Sequence, residues 1–75
     1  MKGYVIVVEG DDESGYSAYS PDLPGVVAAA STRDETEHLM REAVVGHLSM
    51  LAELGLPVPE PADVVSVGVV DPPAA

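Results

Sequence analysis

The sequence has no cysteine and only three basic residues, Lys2, Arg33 and Arg41, against thirteen acidic ones, so its formal charge is 3 − 13 = −10. Without cysteine there is no disulfide framework and no thiolate metal site. The shortage of Lys and Arg argues against a direct grip on nucleic acid, because phosphate contacts need clustered basic side chains. Anionic membrane surfaces are disfavoured for the same reason. No apolar run approaches the ~20 residues needed to span a bilayer. Residues 1–3 lead straight into a strand pattern with no signal-peptide cleavage region, so a soluble, cytoplasmic protein is expected. The acidic excess keeps a small chain soluble, and it also suits a basic partner.

Seventy-five residues allow one domain. A chain of about this size buries only roughly 60% of its unfolded surface. With no disulfide and no evident metal site, oligomerisation is the expected staple.

What is present reads as three strands, a helix and a fourth strand. Gly3 to Glu9 is rich in β-branched residues and bounded by acids and glycine, the signature of a strand. Gly10 to Gly15 is a turn by composition, and Tyr16 to Ser20 is a short strand that closes a hairpin with the first. Pro21 to Gly25 is irregular, because two prolines and a glycine punctuate it. Val26 to Ala30 is the third strand. Thr32 followed three residues later by Glu35 is a capping box, so a helix begins there. It continues to Leu54, with Gly55 placed to end it. Pro57, Pro59 and Pro61 make an extended spacer. Val64 to Val70 is the expected fourth strand, and residues 72–75 form a frayed tail behind a single domain of residues 1–71.

At 100° per residue, Thr36, Leu39, Met40, Ala43, His47, Met50, Leu51 and Leu54 fall on one arc, with Val44 at its margin. One amphipathic helix therefore lies across one face of the sheet. The strands are apolar on both faces. Tyr4, Ile6 and Val8 oppose Val5 and Val7, and Val65, Val67 and Val69 oppose Val64 and Val70. One helix cannot cover two faces, so the other face or an edge must meet another chain. Val64, Val65, Val67 and Val69 are the candidate oligomer contacts, in a homodimer or homotetramer.

Candidate chemistry is sparse. His38 and His47 are nine residues apart, on opposite sides of the helix, and cannot share a metal ion. His47 reads as a core histidine ahead of a subunit contact or a catalytic group. Asp11, Asp12 and Glu13 do not fit a calcium-binding loop and read as a solvated turn, or as a contact for a basic protein surface. There is no nucleophile elbow and no phosphate-cradling glycine loop. Glu9, Asp22, Asp34 and Asp63 are the carboxylates available for acid–base work, and the sequence brings no two of them together. No catalytic residue, metal or cofactor is expected.

Several stretches carry a family resemblance. They are Tyr4 to Glu9, the run from Gly15 to Gly25 (Gly-Tyr-Ser-Ala-Tyr-Ser-Pro-Asp-Leu-Pro-Gly), and Ala30 to Glu35. Glu42-Ala43-Val44, His47-Leu48 and Gly55 to Pro61 add to it. Together they resemble the HicB family of bacterial antitoxins. The resemblance implies an α+β domain of order β-β-β-α-β, a partial, degenerate ribonuclease H-like fold. Its sheet order would be 3-2-1-4, with one helix packed on one face. It further implies a partner, a small basic HicA-type ribonuclease toxin, whose active and RNA-binding surface the antitoxin covers. Asp11, Asp12, Glu13, Tyr16, Tyr19 and Asp22 are then the candidate toxin contacts, while Pro21, Leu23, Pro24 and Gly25 shape their loop. Many relatives carry a C-terminal DNA-binding domain. This sequence stops after the fourth strand, so no direct DNA binding is expected. Two alternatives from other classes are an orphan oligomeric scaffold of the same fold, and a metal-dependent hydrolase with a ribonuclease H-like fold.

Overall fold

A computed structural model describes residues 3–62, 64 and 66–73. Three strands form an antiparallel sheet in the order β1-β2-β3, with β1 at Val7–Asp11, β2 at Gly15–Tyr19 and β3 at Val27–Ala30. One helix, α1, follows at Arg33–Glu53 and packs on one face. The chain is thus an α+β fold of three strands and a helix.

The ladder runs further into the first turn than composition alone suggests. Asp11 pairs with Gly15, leaving only residues 12–14 to turn. The reason is local. The Asp11 Oδ1 accepts from the Glu13 and Ser14 amides and the Ser14 hydroxyl at 3.0, 2.8 and 2.8 Å. This side-chain-to-backbone bonding replaces ladder bonds at the tip. Gly10 permits the close crossing beneath it. Its φ is +127°, and a Cβ there would stand 2.1 Å from the Gly15 carbonyl oxygen.

The pairing register sets the faces. Val8 lies opposite Ala18, and Ala18 opposite Ala28. These small side chains let α1 approach closely, and Tyr4, Ile6 and Val8 pack around the same core. Ala18, Leu23, Val26, Met40 and Val44 are its buried apolar residues among those described. Leu23 comes from the proline-rich loop. Pro24 and Gly25 occupy the centre of a tight turn closed by the Val26 amide on the Leu23 carbonyl at 3.2 Å. Gly25 has φ +88°, as the third position of a type II turn requires. That turn presents Leu23 and Val26 inward on either side of it.

The helix begins where the capping pattern places it. The Thr32 side chain accepts from the Glu35 amide at 3.1 Å. At the other end the Gly55 amide bonds Ala52 and the Leu56 amide bonds Leu51, at 3.2 and 2.9 Å. This paired 5→2 and 6→1 closure satisfies the last carbonyls. The buried line of the helix is Thr36, Met40 and Val44, an i, i+4 row. Val44 is therefore central, not marginal. His47 is half-buried and stands outside the core cluster, at an opening beside Gly25, Val26, Val27 and Ala43. The expectation of a core histidine is corrected accordingly. Buried Thr36 is satisfied by its hydroxyl bond to the Thr32 carbonyl at 2.7 Å.

The expected fourth strand is not formed among the described residues. After α1, the Tyr4 hydroxyl holds the spacer by donating to the Pro59 carbonyl. Beyond it, residues 66–73 carry no regular structure, and Val67, Val69 and Val70 are 74, 95 and 91% exposed. Prolines 57, 59 and 61 stiffen the path and donate no backbone bonds. Ser66 and Gly68 alternate with the valines and add little to hold a strand in place.

Candidate functional site

The hairpin tip gathers four of the candidate contacts. Asp11, Asp12 and Glu13 follow one another at the β1–β2 turn, all exposed. Tyr16 joins them by donating its hydroxyl to the Asp12 Oδ1 at 2.7 Å. Each carboxylate has a different task. Asp11 builds the turn, and the Ser14 amide, then the Ser14 hydroxyl and the Glu13 amide, hold its carboxyl below the usual value of 3.8. Asp12 binds the phenol, and that bond, before any other cause, pushes the Tyr16 hydroxyl above its usual 10.0. Glu13 extends from the tip into solvent. The result is a small acidic knob with an aromatic side wall, on a chain of net charge −10.

Tyr19 and Asp22 lie apart from this knob. Tyr19 is three residues along β2 from Tyr16, roughly 10 Å away, and on the opposite face of the sheet. There it lies between Val7 and Val27 in the ladder, and the three form an apolar row on the face that α1 leaves open. Val27, 66% exposed, was not singled out by sequence reasoning. The signal that finds it is the register, which only the structure supplies. Asp22 sits in the loop, where its Oδ2 accepts from the Val5 amide at 3.1 Å. It anchors the chain locally, so a contact role must share that carboxylate with the fold.

The oligomer candidates also divide. Val64 is half-buried, Val67 and Val69 are exposed, and Val65 lies outside the described residues. Met50, Leu54, Leu56 and Val58 add exposed apolar surface at the end of α1 and the start of the spacer. On the outer surface of α1, His38 pairs with Glu42 and Arg41 with Glu37, at 2.8 and 2.9 Å. Both are solvated i, i+4 contacts, and the Arg41–Glu37 ion pair contributes about 0.3–0.5 kcal/mol. Among the described residues no group of three or more His, Asp or Glu side chains is placed to hold a metal ion. Nor is any helix among them long and apolar enough to cross a membrane.

Comparison with known proteins gives the surface a context. No curated protein sequence matches the chain. A solved structure, the N-terminal domain of the antitoxin HicB from Burkholderia pseudomallei, is 40% identical to it. The match covers 83% of this chain and 73% of that one, with a TM-score of 0.71. Residues 4–71 match the family described as HicB-like antitoxin of bacterial toxin-antitoxin systems. The chain therefore belongs to the HicB-like antitoxin family.

Proposed function

We propose that this chain neutralises a small, basic HicA-type ribonuclease by covering the toxin's active, RNA-binding surface. The observation that carries this reading is the exposed acidic knob of Asp11, Asp12 and Glu13 on a protein of charge −10, within an antitoxin family. A toxin that binds RNA must present a positive face, and a negatively charged protein competes for it. Opposite charge also steers the encounter, raising the association rate most at low salt. The role is binding and not catalysis. It is cytoplasmic, since the proposed target is an intracellular ribonuclease.

Self-association accompanies this role, in a homodimer or homotetramer. The open-face row of Val7, Tyr19 and Val27 and the exposed tail valines favour it. The same apolar surface supports the orphan scaffold as a second reading.

The experiment is co-expression with the product of the adjacent gene, followed by pull-down and a ribonuclease assay. Stoichiometric co-purification with loss of toxin activity is expected. A neighbour that is not a small basic protein, with nothing co-purifying, would leave the scaffold reading in place of the antitoxin one.

A further inference from the structure

The sheet has two edges, and they differ in chemistry. At the β1 edge segment the Tyr4 hydroxyl holds the Pro59 carbonyl, so the chain past α1 runs on that side. β3 forms the opposite edge, two strand spacings or roughly 10 Å away. Among the described residues nothing pairs with its outer side. Edge strands are normally blunted by Lys, Pro or a bulge. β3 has none of these: it reads Val-Ala-Ala-Ala and pairs with β2 in an unbroken register.

The surface around the β3 edge is free of formal charge. The ten residues from Leu23 to Thr32 include no Asp, Glu, Lys or Arg. Beside the strand, Ala43 and His47 of α1 share an opening of about 220 Å³ with Gly25, Val26 and Val27. Leu39 and Met50, four residues before Ala43 and seven after it, lie on the same side of the helix and are 37 and 46% exposed. On the open face, Val27 brings the apolar row of Val7, Tyr19 and Val27 up to this edge. Exposed Ala29 shares that face, while half-buried Ala28 and Ala30 alternate with it.

We infer that two copies of this chain join β3 edge to β3 edge, antiparallel across a two-fold axis, into one six-stranded sheet. This deepens the self-association reading and rests on it. Charge and placement name a second copy as the occupant. Two chains of charge −10 repel, and along this edge they meet without opposing carboxylates. A basic partner is drawn instead to the carboxylates of the hairpin tip. The chain's own continuation past α1 is held at the other edge. Pairing about the axis keeps every residue on its own face. Val27 and Ala29 of one copy therefore lie opposite Val27 or Ala29 of the other, and the two apolar rows adjoin. The hairpin tips stay free for a toxin.

The test uses the full chain, which has no native cysteine. Val27→Cys, Ala29→Cys and an equal mixture of the two are oxidised, with Glu13→Cys at the hairpin tip as the collision control. Both β3 positions are exposed, so the core is left intact. A covalent species of two-chain mass is expected from at least one of the three, well above the control. Light scattering across concentration then compares wild type with Val27→Lys/Ala29→Lys. These lysines reduce the net negative charge, so weaker association cannot come from greater overall repulsion. Dissociation at least tenfold more ready than in wild type is expected, with an unchanged circular dichroism spectrum. A wild-type oligomer that fails to cross-link through β3, or that the lysines leave unchanged, would overturn this contact and leave self-association standing. A wild-type monomer at every concentration would overturn both. Lysines that spare the oligomer but abolish binding of the adjacent gene's product would assign the edge to the toxin and overturn the inference too.

Discussion

The Asp22 carboxylate takes the Val5 amide at 3.1 Å, in the place where the β1–β2 ladder runs out of backbone partners. The register pairs Val7 with Tyr19, so Val5 would next face Pro21. Pro21 has no N–H and opens the loop, and the ladder cannot continue regularly through it. There the Val5 amide donates to the side chain of Asp22 instead of to a backbone carbonyl across the ladder. Its own amide is held by the Ser20 hydroxyl at 3.3 Å, and buried Leu23 follows directly. One carboxylate thus ties the edge segment to the loop that plugs the core.

Replacing Asp22 with Ala should cost about 1–2 kcal/mol, because a half-buried amide loses a charged acceptor. For a domain of this size that lowers Tm by roughly 4–16 °C. Asp22→Asn, which keeps an acceptor oxygen, should recover most of the loss. Calorimetry checks both. An unchanged Tm in the Ala variant would leave Asp22 free for a purely contact role.

Much of the fold was legible in the sequence because it rests on local chemistry. Thr32 and Glu35 mark the helix start by a capping bond, and Gly55 marks its end by chain geometry. The hairpin follows from an acidic turn between β-branched runs. Legibility failed where tertiary contacts decide. Val44 lies at the margin of a helical-wheel arc, yet the sheet's alanines draw α1 in along Thr36, Met40 and Val44. The valine run at 64–70 has strand propensity, but propensity does not supply a neighbouring edge. Likewise the acidic knob was visible as composition. Sequence reasoning groups Tyr16 with Tyr19 as contacts; the strand puts them on opposite faces, and the partners of Tyr19, Val7 and Val27, needed the register.

Gly10→Ala should be among the most damaging small substitutions. The new Cβ would meet the Gly15 carbonyl at 2.1 Å, at a φ of +127° that L residues rarely adopt. A cost of about 2–3 kcal/mol is expected from backbone strain. Chemical denaturation measures it. Stability within ~0.5 kcal/mol of wild type would contradict the close crossing.

Thr32→Ala removes the helix cap and should cost about 1 kcal/mol. Thr32→Ser should retain most of it, since its hydroxyl can still accept from the Glu35 amide. Thermal melts followed by helical circular dichroism compare the two. Equal losses in both variants would show that the methyl group, not the hydroxyl, matters.

The hairpin tip makes stability depend on pH at both extremes. The folded pKa of Asp11 is lowered, chiefly by the Ser14 amide, so its contribution is present above 3.8 and is lost as pH falls through the folded value. The folded pKa of Tyr16 is raised by its bond to Asp12. Its contribution is full below 10.0 and is lost as pH climbs through the folded value. Asp11→Asn should flatten the acid limb of a Tm–pH curve, and Tyr16→Phe the alkaline limb. Curves that overlay wild type after vertical displacement would contradict these assignments.

The central claim is that the acidic knob meets a basic ribonuclease. Asp12→Lys/Glu13→Lys tests it most directly, because both side chains are exposed and Asp11, which builds the turn, is left in place. The measurement is the association rate and affinity with the product of the adjacent gene, by surface plasmon resonance at two salt concentrations. The account predicts tight binding that weakens as salt rises, and a loss of at least tenfold in the reversed variant at low salt with an unchanged circular dichroism spectrum. Binding that is insensitive to both salt and charge reversal would contradict it.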